Sequence, residues 1–523
     1  MASQKELFQY FRLHGLALRP DALKLIVEAA RTTGQPLELA KQIVEHVRSQ
    51  PRTNQMIDGR QVATAINALR GHQPGRAIGP VLEVIDAFDV PRLSYESVLK
   101  SYRSESVPHR MHGNADDQRE VYAGRYALIR QRLLRNNLFK RPALEHLSKT
   151  SNFVHLTDVE ALSGCTGRQC ILGLLCEPSE GVFHLEDLSG TVPVDLSDAK
   201  PSAGLFTLGC FVLTEGELLP TGVFKVEVLC FPPPEPREQS ISLLENVRCF
   251  GPNDGTALEK TRADLLSRAD EAMLIVVSDC WLDRTEVVSA LEDLLDGYEA
   301  ATQEQADAAA QFAFLLCGNF VAEPLACTDM YAMRAHFDKL AEVIRKRPTL
   351  AAHSHFVFAP GPKDLTLGAS EALPRSRLPA TFTAALRERV KHVHFASAPA
   401  RLRFYGREIV VFREDLVVHT RRNAIVEPNE GESTEMSEHL VKTIVDQAHL
   451  RPSLLSNFPV FWNHDHALQL PFTPDVLVLA DNYSHYEVNY EGCLAFNPGM
   501  LMAGLSWMVY RPASNTVEYS ALA

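Results

Sequence analysis

The sequence contains no apolar run near the roughly 20 residues that a membrane-spanning helix requires. Its N-terminus, MASQKELFQYFRLHG, alternates charged with apolar residues and has no continuous apolar stretch ahead of a small-residue cleavage site. Neither a membrane span nor a secretory signal is therefore expected. The sequence predicts a protein that stays inside the cell and has no membrane partner.

The sequence also lacks closely spaced cysteines and an excess of positive charge. Its ten cysteines are scattered, and the closest pair, Cys165 and Cys170, does not have the two-residue spacing of a zinc knuckle. Buried, reduced thiols are expected. The formal net charge is -13. Because Lys and Arg supply most of the affinity for phosphates, any contact with DNA is expected to be local or indirect.

At typical domain sizes the 523 residues leave room for roughly two to four folded units. Residues 1–75 predict an all-helical first domain, because apolar residues recur there at three- and four-residue spacing after Pro20 and Pro36. Residues 1–72 hold ten Lys or Arg against six Asp or Glu. This basic surface is suited to an acidic partner.

Residues 76–148 are predicted to be a linker followed by a basic helix. The polar stretch 104–118 lacks apolar periodicity and contains proline and glycine, so it is expected to be a mobile tether. The helix, within 119–141, has one apolar face and carries four arginines elsewhere, namely Arg125, Arg130, Arg132 and Arg135. A solvated basic face is favoured over contact with phosphate or with an acidic protein surface.

Residues 149–240 predict a small β-barrel of the OB-fold type, because short alternating strands are separated there by turn signals. Barrels of this type that hold single-stranded nucleic acid use a positive groove with stacking aromatics. Residues 155–235 instead contain 12 Asp or Glu and three Lys or Arg. The barrel is therefore predicted to bind protein.

Residues 241–523 predict an α/β domain. Near-continuous Val, Ile, Leu and Phe indicate strands that are buried on both faces, and amphipathic helices alternate with them. The short proline-rich connector at 232–245 predicts that this domain and the barrel form one rigid body. The strand-length runs stand at residues 273–279, 312–319, 355–361, 392–398, 407–415, 475–481 and 494–499.

Several of these strands end in Asp, Asn or Gly, and there the chain resembles the calcineurin-like metallophosphoesterases. In those enzymes, Asp and His side chains at the strand ends hold two metal ions that activate water. This sequence keeps Asp279 after the first strand, but Trp281 stands where a histidine belongs. Asn319 replaces the bridging aspartate, and Lys363 brings a cation to the place of a metal.

Two later positions complete the comparison. His449 is the one candidate for a surviving late histidine, and Asp481 lies where a Gly-His-x-His motif is expected. Two isolated ligands cannot hold a binuclear centre. The resemblance therefore implies an inactivated phosphoesterase fold without a catalytic residue, a metal or another cofactor.

Longer segments are similar to the B subunits of eukaryotic replicative DNA polymerases, of the epsilon type, over nearly the whole chain. These segments are CFGPNDG (249–255), VVSDCWLDRTEV (277–288), IVVFREDLV (409–417), LVKTIVDQAHLRP (440–452) and VFWNHDHAL (460–468). The resemblance implies a multidomain α+β fold with a helical N-terminal domain like the lid of AAA+ ATPases, an OB-fold barrel and an inactivated calcineurin-like sandwich.

The same resemblance implies a non-catalytic scaffold subunit in the nucleus. Its expected partners are the Cys-rich C-terminal module of the catalytic subunit, the small histone-fold subunits and, through the N-terminal domain, the GINS part of the replicative helicase. Two alternatives are an active metal-dependent phosphoesterase or nuclease and an OB-fold module that binds nucleic acid. Trp281, Asn319 and Lys363 oppose the first, and the acidic barrel opposes the second.

Overall fold

The computed structural model describes most of the chain from residue 80 onward. Within this part, no helix is long and apolar enough to cross a membrane. Contacts divide the chain into two units, Met1–Pro80 and Val81–Ala523. The described residues are 17, 18, 22, 26, 56, 57, 80–97, 99–105, 110–140, 153–243, 262–302, 306–324, 330–366, 372–429, 431 and 433–522.

The first unit is described at only a few positions. Ala22 and Ile26 are helical and buried, as the apolar spacing predicts. The two residues Ala17–Leu18 (β1) pair in parallel with Met56–Ile57 (β2). The prediction of an all-helical domain is therefore corrected by this strand pair, and the rest of that prediction lies outside the described residues.

Two six-stranded sheets form the body of the second unit. Strands are numbered along the chain. The first sheet has the order β15-β14-β13-β12-β21-β22, with β12 at Met273–Val277, β13 at Phe312–Cys317, β14 at His355–Ala359, β15 at His392–Phe395, β21 at Ser506–Arg511 and β22 at Thr516–Ala521. The second has the order β19-β20-β18-β17-β16-β3, with β3 at Leu82–Ile85, β16 at Ala400–Phe404, β17 at Arg407–Phe412, β18 at Val476–Leu479, β19 at Tyr486–Tyr490 and β20 at Cys493–Asn497.

Apolar residues on both faces of the strands explain how the sheets pack. In β12, Leu274 and Val276 face the second sheet, where they pack with Ile409 and Val478. The alternate residues of β12 pack against helices on the outer face of the first sheet, because successive side chains of a strand point to opposite faces. The strands predicted from the apolar runs are confirmed, and β3, β16, β19, β21 and β22 were not predicted.

Helices cover the outer faces of both sheets, as the alternation of strands with amphipathic helices predicts. Helix α1 spans Ala115–Arg135 and begins with a capping box at Asn114. The shorter helices α2 (Arg237–Ser242), α5 (Pro348–His353) and α9 (Leu501–Gly504) lie at connections. The covering helices are α3 (Thr285–Thr302), α4 (Met330–Arg345) and α6 (Ala380–Arg389) on the first sheet, and α7 (Val417–Arg422) and α8 (Met436–Asp446) on the second.

The predicted barrel is confirmed as a six-stranded sheet that closes through an additional pairing of β10 with β11. Its strands are β6 (Gln169–Ser179), β7 (Val182–Glu186), β8 (Thr191–Asp195), β9 (Lys200–Pro201), β10 (Phe211–Leu218) and β11 (Phe224–Cys230). Its order is β10-β6-β7-β8-β11-β9. The described cysteines are free thiols, but the expectation of burial is wrong for Cys165, Cys176 and Cys230, which are only partly buried.

The barrel is joined tightly to the α/β body. The side-chain amide of Gln447 accepts from the backbone N–H of Phe211 and donates to its carbonyl, both at 2.7 Å. The N–H of Leu205 donates to the hydroxyl of Thr443 at 2.8 Å. Both domains belong to one compact unit, which supports the prediction of a single rigid body.

The segment before the barrel is more structured than the sequence predicts. Strand β3 pairs with β16 in the second sheet, and a hairpin of β4 (Arg92–Glu96) and β5 (Ser101–Glu105) follows it. The unit boundary lies at Pro80. The interpretation of 104–118 as the tether between the domains is therefore corrected, because the elements on both sides of this stretch belong to the second unit.

Candidate functional site

Three neighbouring parallel strands bring their carboxyl ends together at one edge of the first sheet. Asp279 follows β12, Asn319 follows β13, and Lys363 follows β14. Loops at this edge of an open α/β sheet are where such folds place ligands. A side chain on Gly318 would collide with Asp364 of the third loop, so glycine is needed for the loops to approach this closely.

A buried arginine from the second sheet neutralises Asp279. Arg413 follows β17 and donates from Nη2 to Asp279 Oδ1 at 2.8 Å, and from Nε to the carbonyl of Gly318 at 2.7 Å. Its third nitrogen, Nη1, donates to Asp415 at 2.7 Å. Asp279 and Arg413 are each only 1% exposed. Burial disfavours the charged guanidinium, but the carboxylates of Asp279 and Asp415 raise the pKa of Arg413 above its ordinary value.

Asn319 and Lys363 complete the network without placing an ammonium group beside Asp279. Asn319 Nδ2 donates to Asp279 Oδ1 at 3.2 Å, and Asn319 Oδ1 accepts from the N–H of Lys363 at 2.8 Å. The ammonium of Lys363 donates to the carbonyl of Ala322 at 2.9 Å. The cation in contact with Asp279 is thus Arg413, which the sequence comparison did not identify.

Asp364 locks two of the loops together and was also not predicted. Its two oxygens accept from the N–H groups of Phe320, at 2.7 Å, and Gly361, at 2.8 Å. Burial raises the pKa of Asp364 to about 6, although these two hydrogen bonds oppose the shift. A carboxylate that is already used by backbone donors is a structural brace rather than a free ligand.

Trp281 stands at the edge of the site. Its backbone N–H donates to the carbonyl of Asp279 at 2.8 Å, and its half-buried ring packs against the core under the outer helices. An indole offers no lone pair to a metal ion. The side chain therefore contributes packing and no coordination.

Asp481 lies at the end of β18 and holds the start of α7. One of its oxygens accepts from the N–H groups of Leu416, at 3.0 Å, and Val417, at 2.7 Å. Its other oxygen is buried without a hydrogen-bond partner. Burial raises the pKa of Asp481 to about 6, and the negative charge of Asp415 adds to the shift.

The structure places His449 in a different cluster. Its Nδ1 accepts from the N–H of Arg451 at 3.0 Å, so the proton of the neutral ring is on Nε2, 3.3 Å from Asp465 Oδ1. Asp465 also forms a two-point ion pair with Arg125 of α1. Burial, together with Arg125, lowers the pKa of His449. Its hydrogen bonds thus reach none of the five other residues singled out from the sequence.

Helix α1 therefore differs from the solvated basic face that the sequence favoured. Arg125 is buried against Asp465, Arg132 donates to the carbonyl of Leu470 at 2.5 Å, and Arg135 pairs with Glu235 at 2.6 Å. Arg130 remains substantially exposed at 38%. The prediction is wrong for three of the four arginines, which hold the helix to the body and to the end of the barrel domain.

The residues present do not fit a binuclear metal centre. Within the described ranges, no group of three or more His, Cys, Asp and Glu side chains is arranged to hold a metal ion. The carboxylate of Asp279 already accepts from a guanidinium and an amide. A metal ion at this position would meet the positive charge of Arg413 at short range.

Replacing Asp481 by asparagine is expected to stabilise the chain at pH 7. The folded-state pKa of Asp481, about 6, lies above the ordinary 3.8, so the folded state binds the proton more tightly. The stabilisation that this proton provides is complete below about pH 4 and is lost as pH rises through about 6. The amide avoids burying a charge, which gives a gain of at most about 3 kcal/mol at pH 7.

Urea denaturation of wild type and Asp481→Asn at pH 4 and pH 7 measures this gain. The variant is expected to be more stable at pH 7 and close to wild type at pH 4. A stability difference that is equal at both values of pH would contradict the raised pKa.

Three family profiles match the chain. The first is described as DNA polymerases epsilon N terminal and matches residues 2–69. The second is the OB-fold domain of DNA polymerase epsilon subunit 2-like proteins, over residues 115–233, which include helix α1 as well as the barrel. The third is the B subunit of DNA polymerases alpha and epsilon, over residues 274–488.

Curated relatives match the chain along nearly its whole length. DNA polymerase epsilon subunit 2 of Mus musculus is 36% identical over 98% of this chain and 97% of its own length. The corresponding B subunit of DNA polymerase epsilon from Arabidopsis thaliana is 34% identical over 99% of both chains. DNA polymerase epsilon subunit 2 of Homo sapiens is 35% identical over 98% of this chain and 97% of its own length.

Proposed function

Because the chain belongs to the family of DNA polymerase epsilon B subunits, we propose that it is the scaffold that connects the catalytic subunit to other parts of the replication machinery. It is an accessory, non-catalytic subunit of a polymerase that replicates DNA, and it sits in a complex with a catalytic subunit. A nuclear location follows from that role.

The α/β body is proposed to be a calcineurin-like sandwich that has lost its metal chemistry. The single observation that carries this proposal is the ion pair of Arg413 with Asp279. The guanidinium brings a positive charge to the retained aspartate of the first strand, and its other donors bind a carbonyl and a second carboxylate. Because the guanidinium of Arg413 already balances the charge of Asp279, the site does not need a metal ion for its stability.

The OB-fold and the α/β body are proposed to bind the Cys-rich C-terminal module of the catalytic subunit together. Support comes from the rigid connection at Gln447 and Thr443, which presents both domains as one surface. The excess of acidic residues in the barrel also favours a protein partner over a nucleic acid. The small histone-fold subunits would join the same complex.

The N-terminal unit is proposed to be the lid-like domain that reaches the GINS part of the helicase. Support comes from the match of residues 2–69 to the N-terminal profile of this polymerase family, from the excess of positive charge and from the separation of Met1–Pro80 from the rest. A separate unit can be removed without breaking the core of the body.

Coexpression with the Cys-rich module tests the scaffold role. The full chain and a chain that lacks residues 1–80 are both expected to copurify with the module, whereas only the full chain retains GINS. The purified chain is expected to show no hydrolysis of a model phosphodiester in the presence of manganese.

The matched control for that assay is Asp279→Asn, which removes the retained aspartate. Metal-dependent hydrolysis by the wild-type chain that this substitution abolishes would overturn the inactive-site proposal. If the chain that lacks residues 1–80 failed to copurify with the Cys-rich module, the proposal that the OB-fold and the α/β body bind this module without the N-terminal unit would be wrong.

A further inference from the structure

Three histidines come together where strands β14 and β15 begin. His355 is the first residue of β14 and lies opposite His392, the first residue of β15. His394 follows two positions later and therefore shares a face of the sheet with His392. The Asp279 site is built on the carboxyl ends of β12, β13 and β14, so the histidines lie at the other end of this sheet.

The histidines occupy the face of the first sheet that looks toward the second sheet. On this face of β14, Val357 packs in the core between the two sheets, whereas the alternate residue Phe356 packs under the outer helices. The three histidines are only partly buried, and β15 is the edge strand of its sheet. Ions and water can therefore reach their rings.

Two ring nitrogens approach each other at a distance that is long for a hydrogen bond. Nδ1 of His355 and Nε2 of His394 are 3.4 Å apart, whereas N–H donors usually lie about 2.7–3.2 Å from an oxygen acceptor. Within the described part of the chain, neither ring has another hydrogen-bond partner. Both nitrogens are thus available to a ligand that attracts them more strongly.

The distance between the two nitrogens fits two ligands of one tetrahedral ion. Imidazole nitrogens bind Zn²⁺ at about 2.0–2.1 Å, so two of them at the tetrahedral angle lie about 3.3–3.4 Å apart. At a right angle, as in square-planar and octahedral complexes, they would lie only about 2.8–3.0 Å apart. The observed 3.4 Å therefore favours the tetrahedral geometry that is typical of zinc.

The neighbouring charges leave the two rings free of ion pairs. Among the described residues, those whose charge acts on His355 are His394 and His392, and the one that acts on His394 is His392. Lys391 and His353 act on His392. An incoming cation would therefore break no ion pair of His355 or His394, and the lysine lies nearest to the third ring.

We propose that His355 and His394 bind one Zn²⁺ ion, with water in its remaining positions, and that the ion fastens the edge strand β15 to β14. Within the described ranges, no three side chains of the ligating types are arranged around one point, so the site has two protein ligands and His392 is not among them. The inference is independent of the Asp279 site and of the proposed contact with the Cys-rich module.

Hydrogen exchange of the full-length chain, followed by mass spectrometry, tests this proposal. The chain is treated with EDTA, dialysed and titrated with zinc chloride. At a free zinc concentration about ten times the dissociation constant, exchange in the peptides that cover β14 and β15 is expected to slow about tenfold, because a ligand shifts the opening equilibrium by the factor 1 + [L]/Kd. Magnesium chloride is expected to have no effect, since Mg²⁺ prefers oxygen ligands.

The variants His355→Gln and His394→Gln each remove one ligand, and each is expected to abolish the slowing by zinc. The double variant should behave like either single variant, because both rings bind the same ion. His392→Gln is the matched control, since it changes a partly buried histidine on the same face of β15 that is not a ligand. It is expected to retain the slowing.

Circular dichroism and urea denaturation in EDTA are expected to be the same for the wild-type chain and all variants. The proposal is overturned if zinc leaves exchange in β15 of the wild-type chain unchanged, or if magnesium slows it equally. It is also overturned if His355→Gln or His394→Gln retains the slowing, or if His392→Gln loses it.

Discussion

Replacing Arg413 by methionine is expected to lower the free energy of unfolding by about 3–5 kcal/mol, the usual cost of removing one partner from a buried ion pair. Methionine fills part of the space but donates to neither Asp279 nor the carbonyl of Gly318. Asp279 would then remain as an uncompensated charge at 1% exposure. Such a loss is a large fraction of the stability of an ordinary domain.

Urea denaturation followed by tryptophan fluorescence measures this loss. The control is Arg511→Met, which removes the arginine of a surface pair whose partners, Arg511 and Glu518, are 32% and 53% exposed. An exposed pair contributes roughly 0–1 kcal/mol. Equal losses in the two variants would show that Arg413 does not stabilise the strand ends.

The double variant Asp279→Leu and Arg413→Met separates the pair from its packing. Replacing both charges by apolar residues removes the unpaired carboxylate as well as the guanidinium. Buried pairs replaced in this way often lose little stability. The double variant is therefore expected to be more stable than Arg413→Met alone.

The second large effect is expected at Arg125→Ala, again at about 3–5 kcal/mol, because Asp465 would be left buried beside the neutral ring of His449 and without its guanidinium partner. In addition to this loss, helix α1 should detach locally from the body. Hydrogen exchange is expected to become faster at the backbone of residues 115–135 and of the segment around Asp465.

Arg130→Ala provides a control on the same helix. Arg130 is 38% exposed and lies 3.4 Å from Asp158, which is itself 52% exposed, so its removal is expected to change stability by less than about 1 kcal/mol. If Arg130→Ala accelerates exchange in α1 as much as Arg125→Ala does, the helix is not held by the Asp465 pair.

The strands could be predicted from the sequence because their signal is local. Runs such as MLIVV and FAFLLC are buried on both faces, and a continuous apolar run needs no knowledge of the partner strand. Strands such as β22 were missed because they lack this local apolar signal. Its sequence, TVEYSA, is half polar and exposed at an edge of the sheet, so nothing in the run itself requires a strand.

The ion pair that neutralises Asp279 could not be predicted from the sequence. Arg413 stands in FRED, directly after a buried strand, where a charged residue is usually interpreted as the start of a solvated loop. Its partner Asp279 lies 134 positions earlier. The one signal in the sequence was position, since each of the two residues closely follows a buried strand.

The same limit explains the errors on helix α1 and on His449. Arg125 and Asp465 are 340 positions apart, and neither carries a local mark of its burial. His449 was assigned to the strand-end site from a family pattern alone. Its two ring nitrogens have other partners, which only the fold reveals.

The pairing of β3 with β16 determines when this protein can finish folding during its synthesis. Ile85 lies opposite Arg401, so the sheet edge waits for a strand that the ribosome makes more than 300 residues later. At about 5–20 residues per second, this delay is about 15–60 s. Throughout that time, strand β3 of the nascent chain has to wait without its partner in the sheet.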